Sequence, residues 1–222
     1  MTSGSETPNS EFFVPRSPLR VPRSDFRAVV IGGSAGGAEA LKAILSALPG
    51  DFPLPILVVQ HLHPSDGGSF ARHVARLTRL PVTEPCDKEE IKSGRVYVAP
   101  ANYHMLFEQN GSIALSIDER VNWSRPSIDV LFESAAHAWG DGVIAVILSG
   151  ANDDGTNGMR LVREAGGRTI AQDPGSAQAK FMPQAAIDAG VVDEVLGPEQ
   201  IGQRLVELAT LKKEKRPPMS DF

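Results

Sequence analysis

The sequence predicts an α/β fold: a doubly wound, mostly parallel sheet of Rossmann-like type with a short antiparallel hairpin insertion. Two observations favour this class, and a third sets its limits along the chain. Short apolar runs rich in β-branched residues alternate along the chain with stretches of helical periodicity, as in βαβ units whose sheet is covered on both faces. The dipeptide Asn110-Gly111 separates two further short runs, as in a hairpin turn. The two ends are rich in proline or charge and poor in apolar residues, so burial cannot offset the entropy lost on ordering them.

The elements follow in order from these patterns. The predicted strands are residues 27–32, 55–60, 95–99, 143–149 and 168–172, each a short apolar run bounded by turn residues. Helices are expected near residues 37–48, 69–78, 127–139, 155–165, 183–188 and 198–211. The hairpin pairs residues 105–108 with 112–117, because Asn-Gly supplies the positive φ angles that tight turns need. Ligands of such folds bind beyond the carboxyl ends of the strands, so residues that directly follow a strand are the functional candidates.

Composition and charge exclude several classes of protein. The chain has 222 residues, with 22 Lys+Arg against 27 Asp+Glu and a net charge of −5, which argues against a nucleic-acid partner. Its one cysteine, Cys86, cannot form an internal disulfide. No apolar run is long enough to span a bilayer, so we expect no membrane insertion and a cytoplasmic location. Residues 1–25 are expected to be a disordered arm, residues 26–211 one folded domain, and residues 212–222 a flexible charged tail.

The first predicted strand ends in Gly32-Gly33-Ser34-Ala35-Gly36, a glycine-rich turn before a helix, and two hypotheses compete for it. A phosphate-binding loop for a dinucleotide has the pattern G-x-G-x-x-G, with an acidic residue at the end of the second strand. Here the glycine spacing differs, and the second strand ends without an acid. The other hypothesis is a nucleophile elbow. In that arrangement a strained turn lifts the Ser34 hydroxyl toward solvent, and N–H groups at the helix start face a developing oxyanion.

Two other strand ends supply the partners that a serine nucleophile needs. His61 directly follows the second predicted strand and shares a rim with Ser34 if the two strands are neighbours, whereas His63 is expected to be a supporting or surface residue. Beyond residue 149 the chain passes through Asp153 and Asp154 into a helix, where an acid can either cap the helix or orient a histidine. Convergence of Ser, His and Asp on one rim favours the second role. The residues alone leave the choice between the two aspartates open.

Six blocks of the sequence resemble the catalytic domain of the chemotaxis protein-glutamate methylesterases, the CheB type. They are VVIGGSAGG, VVQHLHP with SFARH, VYVAPANYH, SRPSIDVLFESAA, VILSGANDDGTNG and AQDPGSAQAKFMPQAAIDAGVVDEVL, in order between about residues 27 and 206. The resemblance implies that Ser34 is the nucleophile, that His61 is the base, and that Asp154 rather than Asp153 orients the base. It also implies an oxyanion hole made by backbone N–H groups near Ala35 and Ala151.

The sequence departs from the family pattern at three places. Ala35 stands where members joined to a receiver usually have Thr, Ala151-Asn152 stands where Met-Gly is usual, and Lys180-Phe181 stands where an aromatic-Gly pair is commoner. An oxyanion hole built from backbone N–H groups survives these changes, but we expect substrate preference to respond to them. Only about 26 residues precede the first predicted strand. We therefore expect no phosphorylatable receiver domain within this sequence, and either constitutive activity or control by a separate regulatory protein.

The activity implied by the resemblance is hydrolysis of glutamyl methyl esters on the cytoplasmic helices of methyl-accepting chemoreceptors, with deamidation of glutamine in some members. Neither a cofactor nor a metal is implied. Arg125 is a candidate for substrate binding, because a cation near the cleft could steer acidic receptor helices. Ser127 and Asp129 are accounted for by helix capping and by the first helical turn. Tyr103 and His104 either line the cleft or pack a loop.

Three alternatives remain open at this point. The fold could serve as a non-catalytic binding module in a signalling complex, although such modules tend to lose at least one triad residue. It could be a nucleotide-binding α/β protein. It could also perform the same ester chemistry on a substrate other than a chemoreceptor.

Overall fold

The computed structural model describes residues 25–210. Apart from Asp25, the predicted arm over residues 1–25 lies outside the described residues, as does the predicted tail over residues 212–222. No helix in the described part of the chain is both long and apolar enough to cross a membrane.

The described chain contains a parallel sheet and a separate hairpin. The strands are β1 (Ala28–Gly33), β2 (Ile56–Gln60), β3 (Val82–Thr83), β4 (Val96–Val98), β5 (His104–Phe107), β6 (Ile113–Ser116), β7 (Val143–Ile147), β8 (Arg168–Gln172) and β9 (Glu194–Leu196). Seven of them form one sheet in the order β3-β4-β2-β1-β7-β8-β9, and every neighbouring pair in it is parallel. The antiparallel pair β5-β6 forms its own two-stranded sheet.

Helices cover both faces of the parallel sheet. They are α1 (Gly37–Ala47), α2 (Ser69–Val74), α3 (Ile128–Trp139), α4 (Thr156–Glu164), α5 (Phe181–Asp188) and α6 (Pro198–Thr210), with a short 3₁₀ turn at Gly140–Gly142. One core cluster joins α1, α2 and α6 to the sheet, and a second joins α3, α4, α5 and the hairpin to its other face. Alternate residues of β1 enter alternate clusters: Val29 and Ile31 face the first, Ala28 and Val30 the second. This two-sided burial explains why the strands are continuous apolar runs.

The predicted fold class, the strands and the hairpin are confirmed, with corrections at the margins. The hairpin is a separate sheet that packs against α3 and does not interrupt the parallel sheet. In its turn only Gly111 has a positive φ, of 87°, so the predicted use of Asn110 was wrong. Helix α2 ends at Val74, earlier than predicted. The two strands that were not predicted, β3 and β9, are the short edge strands of the sheet.

The sheet reverses its winding direction between β1 and β7, because β2, β4 and β3 extend from one side of β1 and β7, β8 and β9 from the other. Backbone pairing continues past the ends of these central strands. The Leu148 N–H donates to the Gly32 carbonyl at 2.8 Å, and the His61 N–H donates to the Gly33 carbonyl at 3.0 Å. The segments that follow β1, β2 and β7 therefore lie side by side, at the position where doubly wound sheets bind ligands.

Candidate active site

The three residues predicted to converge lie on one rim of the sheet. Ser34 follows β1, and its N–H donates to the carbonyl of Ser149, which lies beyond the end of β7, at 2.9 Å. His61 follows β2 and is bonded through its backbone to the residue that precedes Ser34. Asp154 lies in the loop between β7 and α4. Parallel pairing in the order β2-β1-β7 thus brings the three residues to one edge of the sheet.

The imidazole of His61 is bonded directly to the carboxylate of Asp154. Nε2 of the ring lies 2.8 Å from Oδ2, with the aspartate side chain 0% exposed and the histidine side chain 15% exposed. Because an ionised carboxylate only accepts hydrogen bonds, Nε2 carries the proton and Nδ1 has the free lone pair. In the chymotrypsin type of triad it is Nδ1 that bonds to the aspartate. Here the ring has the opposite orientation, so Nδ1 is the nitrogen available to Ser34.

Asp154 is held by donors from several elements. Besides His61, its carboxylate accepts from the Asn122 amide at 2.9 Å, the Ser127 hydroxyl at 2.8 Å, and the N–H groups of Ile128 at 2.8 Å and Asp129 at 3.1 Å. The last two belong to the first turn of α3, whose N-terminus favours a negative charge. Burial alone would raise the pKa of Asp154, but these hydrogen bonds, with that of His61 foremost, hold the pKa below its usual value. The geometry therefore keeps the carboxylate ionised and fixed in orientation.

The contacts also separate the two aspartates that the sequence left open. Asp153 is exposed, and its carbonyl accepts the Thr156 N–H at 3.1 Å, which closes the turn before α4. Only Asp154 contacts the histidine. Ser127 occupies the N-cap position of α3 as predicted, but its hydroxyl does not cap that helix. It donates to Asp154, and the Asp154 carboxylate takes over the capping.

A second buried carboxylate, Asp129, lies beside Asp154. Its Oδ1 accepts the Gly158 N–H at 2.8 Å, and its Oδ2 accepts from the Asn122 amide nitrogen at 2.7 Å. The same nitrogen of Asn122 therefore serves both aspartates. Burial raises the pKa of Asp129 above its usual value, and the charge of Asp154 adds to the increase. The sequence alone predicts Asp129 only as a residue of the first turn of α3, and it gives no prediction for Asn122.

Ser34 lies in the turn between β1 and α1 without backbone strain of its own. The left-handed residue of this turn is Gly36, with a φ of 76°, and Ser34 is not among the residues with positive φ. A Cβ at Gly36 would lie only 2.5 Å from Cβ of Gln178, so glycine is required there for space as well. The Gln60 amide donates to the Ser34 carbonyl at 2.7 Å. Within residues 25–210 the Ser34 hydroxyl has no hydrogen-bond partner, which leaves it free to rotate toward His61.

The two predicted oxyanion donors are available. Ala35 and Ala151 are both exposed, and neither backbone N–H donates to a group in the described part of the chain. The peptide that contains the Ala35 carbonyl is fixed, because the Ser149 hydroxyl donates to that carbonyl at 2.7 Å. On the other side, Gly150 bonds to the segment before α5 through the Ala179 carbonyl at 2.9 Å. Two unpaired N–H groups on anchored loops beside a serine are suited to a developing oxyanion.

Arg125 lies on the wall of the cleft that contains His61. Its Nη1 donates to the carbonyls of Ile117 at 2.6 Å and Asp118 at 2.8 Å, so the guanidinium holds the cleft loop to the end of the hairpin. Its role in substrate binding stays a prediction. His104 is buried and packs a loop, since Nδ1 accepts the Ser127 N–H at 3.2 Å and Nε2 donates to the Glu119 carbonyl at 3.0 Å. The described residues contain no group of three or more His, Cys, Asp or Glu side chains arranged for a metal ion.

Comparison with known proteins extends the resemblance over most of the described chain. Residues 29–205 match the CheB methylesterase family. A protein of Leptospira interrogans named as a putative protein-glutamate methylesterase/protein-glutamine glutaminase is 47% identical over 192 residues, which are 86% of this chain and 100% of that relative. The Pseudomonas aeruginosa protein-glutamate methylesterase/protein-glutamine glutaminase 2 is 38% identical over 186 residues, which are 82% of this chain but only 53% of that relative.

A solved structure is similar in both sequence and fold. The crystal structure of the Thermotoga maritima CheB methylesterase catalytic domain superimposes with a TM-score of 0.79 at 39% sequence identity. The match covers 82% of this chain and 98% of that domain. Ser34, His61 and Asp154 all lie within the residues, 29–205, that match the family.

Proposed function

The chain belongs to the CheB methylesterase family, and on that premise we propose that Ser34, His61 and Asp154 are its catalytic triad. The enzyme is a protein-glutamate methylesterase and protein-glutamine glutaminase, the two activities for which its relatives are named. The observation that carries the triad is the 2.8 Å bond between Nε2 of His61 and the fully buried carboxylate of Asp154. That bond fixes the tautomer and points the basic nitrogen, Nδ1, away from the aspartate.

The reaction proceeds in two stages, acylation of Ser34 and hydrolysis of the acyl-serine. The Ser34 oxygen attacks the carbonyl carbon of the glutamyl ester while its proton passes to Nδ1 of His61. The tetrahedral intermediate places its oxyanion at the N–H groups of Ala35 and Ala151, and it collapses as methanol leaves with the proton from Nδ1. Water then attacks the acyl-serine, gives a proton to Nδ1, and releases the glutamyl carboxylate as that proton returns to Ser34. With a glutamine substrate the leaving group is ammonia.

Asp154 supports both stages without changing its own protonation. Its low pKa keeps it ionised, so it stabilises the positive charge that forms on His61 when the ring accepts a proton. The donors from α3 and Asn122 occupy the remaining lone pairs of the carboxylate, so it cannot rotate away from the ring. Esters expel their leaving group more readily than amides do. We therefore expect methylesterase activity to exceed glutaminase activity.

The substrate in this proposal is the cytoplasmic domain of a methyl-accepting chemoreceptor. The family membership supports a glutamyl ester on a protein, since the relatives are named for protein glutamate rather than for a free metabolite. A cytoplasmic site of action belongs to the same proposal.

The proposal is tested by methanol release from methylated receptor membranes. We expect Ser34→Ala to lower the rate by about 10,000-fold or more, since removal of a triad nucleophile leaves only binding and the oxyanion donors. His61→Ala should cause a comparable loss. His63→Ala is the matched control, because His63 is exposed and its ring bonds only to the nearby Ser65 among described residues. A parent rate in the Ser34→Ala protein would refute the mechanism.

A serine-reactive fluorophosphonate separates the alternatives. Labelling of Ser34 with no methanol release from receptor membranes would indicate that the enzyme performs the same chemistry on another protein substrate. Absence of labelling in folded protein would favour the non-catalytic binding module.

A further inference from the structure

A tight turn on the cleft wall contains a tryptophan at a position that favours glycine. Val121 and Ser124 exchange backbone hydrogen bonds of 3.2 and 2.9 Å. Between them Asn122 and Trp123 both have left-handed φ values, 50° and 62°. Two successive positive φ angles inside a two-residue turn are typical of type I′, whose preferred residues are Asn followed by Gly. Asn122 fits this preference, but Trp123 does not, because a bulky residue at positive φ is a genuine outlier.

The contacts explain Asn122 but give no structural reason for Trp123. The Asn122 amide donates to two buried aspartates and so anchors the turn to the catalytic carboxylate. The Trp123 side chain is 92% exposed, so it buries almost nothing in the folded chain. A strained backbone that presents a large aromatic side chain to solvent, at a catalytic rim, points to a binding role.

A second exposed aromatic side chain adjoins the loop that carries Ala151. Phe181 begins α5 and is 59% exposed. The N–H of the next residue, Met182, donates to the Gly150 carbonyl at 2.9 Å, which ties the start of α5 to the loop that carries Ala151. The turn of Trp123 is tied to the same loop, because the Asn122 amide donates to Asp154 at 2.9 Å. The loop between β7 and α4 therefore connects the two aromatic residues.

The charged side chains that line the cleft beside Trp123 are all positive. Arg120 and Arg125 line the cleft together with Trp123 and His61, and no carboxylate lines it. Glu119 lies outside this cleft and lines a neighbouring pocket together with Trp123. Lys180 directly precedes Phe181. Exposed aromatic and cationic groups together complement a partner surface that is apolar in its centre and acidic around it.

We propose that Trp123 and Phe181 form a two-point docking surface for the protein substrate, an amphipathic acidic segment that carries the esterified glutamate. Trp123 lines the cleft that contains His61, and Phe181 is tied to the loop that carries the proposed oxyanion donor Ala151, so a segment bound at Ser34 can contact both. The proposal rests on the proposed function and adds to it the residues that distinguish a protein ester from a small one.

Trp123→Gly gives the sharpest test. Glycine relieves the strain of the turn and removes almost no buried surface, so we expect the melting temperature to stay the same or to rise. We expect kcat/KM for methylated receptor to fall at least tenfold, as for a buried aromatic anchor, mainly through KM. We expect kcat/KM for p-nitrophenyl acetate to stay within twofold of the parent. Phe181→Ala should likewise lower kcat/KM for the receptor but not for p-nitrophenyl acetate. Trp123→Phe should retain part of the receptor activity that Trp123→Gly loses.

Val195→Ala is the matched control. Val195 is 45% exposed and lies on the edge strand β9, so we expect its substitution to change kcat/KM for neither substrate. Unchanged receptor kinetics in Trp123→Gly would overturn the proposal. So would an equal loss on both substrates, which would make the tryptophan a structural part of the site. Loss of a parent dimer in sedimentation, with receptor kinetics intact, would assign the aromatic side chains to self-association instead. A parent that cleaves the small ester but not the receptor would refute the proposed substrate itself.

Discussion

At the scale of single residues, two neighbouring buried carboxylates have pKa values displaced in opposite directions. Donors from His61, Asn122 and the start of α3 overcome the burial of Asp154 and lower its pKa. Asp129 has fewer donors, and burial together with the adjacent charge raises its pKa. The folded protein therefore favours a charge on the residue that orients the base and disfavours one on its neighbour.

These directions predict opposite dependences of stability on pH. Ionised Asp154 stabilises the fold above the unfolded pKa of about 3.9, and this contribution is lost as the pH falls through its lowered folded pKa. The stability advantage of the parent over Asp154→Asn should therefore shrink toward acid pH. For Asp129 the sign reverses: the parent should lose stability relative to Asp129→Asn as the pH rises from about 3.9 through the raised folded pKa.

Urea unfolding at several pH values between about 3 and 7 measures both differences. The informative quantity is how the difference in unfolding free energy between parent and variant changes with pH. Each Asp→Asn substitution also changes hydrogen bonding, but that contribution does not depend on pH. Slopes of the same sign for the two variants would contradict the assigned directions.

The sequence was sufficient to predict that Ser34, His61 and Asp154 share one rim, because each follows a strand with a clear apolar run. Choosing Asp154 over Asp153 required the family pattern, and the structure supplies the physical reason in the bond to His61. Asn122 could not be found in this way. It lies 32 residues from Asp154 in sequence, and its contacts depend on a turn with two left-handed residues, Asn122 and Trp123, that the local sequence pattern does not predict.

At the scale of elements, glycines allow two pairs of helices, α3 with α4 and α1 with α6, to pack at close distance. A Cβ at Gly158 in α4 would lie 2.4 Å from the Phe132 Cβ in α3 and 3.2 Å from the Asp129 carbonyl. A Cβ at Gly202 in α6 would lie 2.7 Å from the Ala47 Cβ in α1. The first crossing carries Asp129 and adjoins the loop of Asp154, whereas the second lies on the other face of the sheet.

Gly158→Ala and Gly202→Ala form a matched pair. Alanine is the better helix former by about 1 kcal/mol, so any loss of stability measures the steric conflict. We expect both variants to lose about 1–3 kcal/mol in urea unfolding, but only Gly158→Ala to lower the rate of methanol release. Equal activity losses in the two variants would show that the α3–α4 crossing does not position the site.

The elements that were missed share a physical cause. Strands β3 and β9 contain two and three residues, too few to show a periodicity, and both lie at an edge with one pairing partner. Glu194 in β9 bonds to Arg204 of α6 at 2.8 Å, so a charged residue is accommodated there by tertiary contacts. Helix α2 is shorter than its pattern suggested because its end tightens: the N–H groups of Arg76 and Leu77 donate to carbonyls three residues back, those of His73 and Val74.

At the scale of the whole molecule, the sheet is most protected at its centre. Every residue of β1, β2 and β7 is buried, with a core cluster on each face. The edge strands β3 and β9 are partly exposed. The rim that carries the proposed triad is attached to these three central strands, so the most deeply buried part of the sheet supports its geometry.

Native-state hydrogen exchange should reveal this gradient. We expect the amides of β1 and β7 to exchange only through global unfolding, and those of β9 to exchange through local opening that costs less free energy. Protection factors about 100-fold or more apart are expected, since each 1.4 kcal/mol of opening free energy is a factor of ten. Equal protection of β1 and β9 would mean that the sheet opens as one unit.

The orientation of the His61 ring has a consequence for covalent inhibitors. If Ser34 is the nucleophile proposed above, we expect a reagent that it captures to alkylate Nδ1 of His61, because Nε2 is bonded to Asp154. The expected adduct is the opposite positional isomer to that of a chymotrypsin-type triad, in which Nε2 faces the serine. Inhibitors designed for the Nε2 geometry are therefore expected to discriminate against this site.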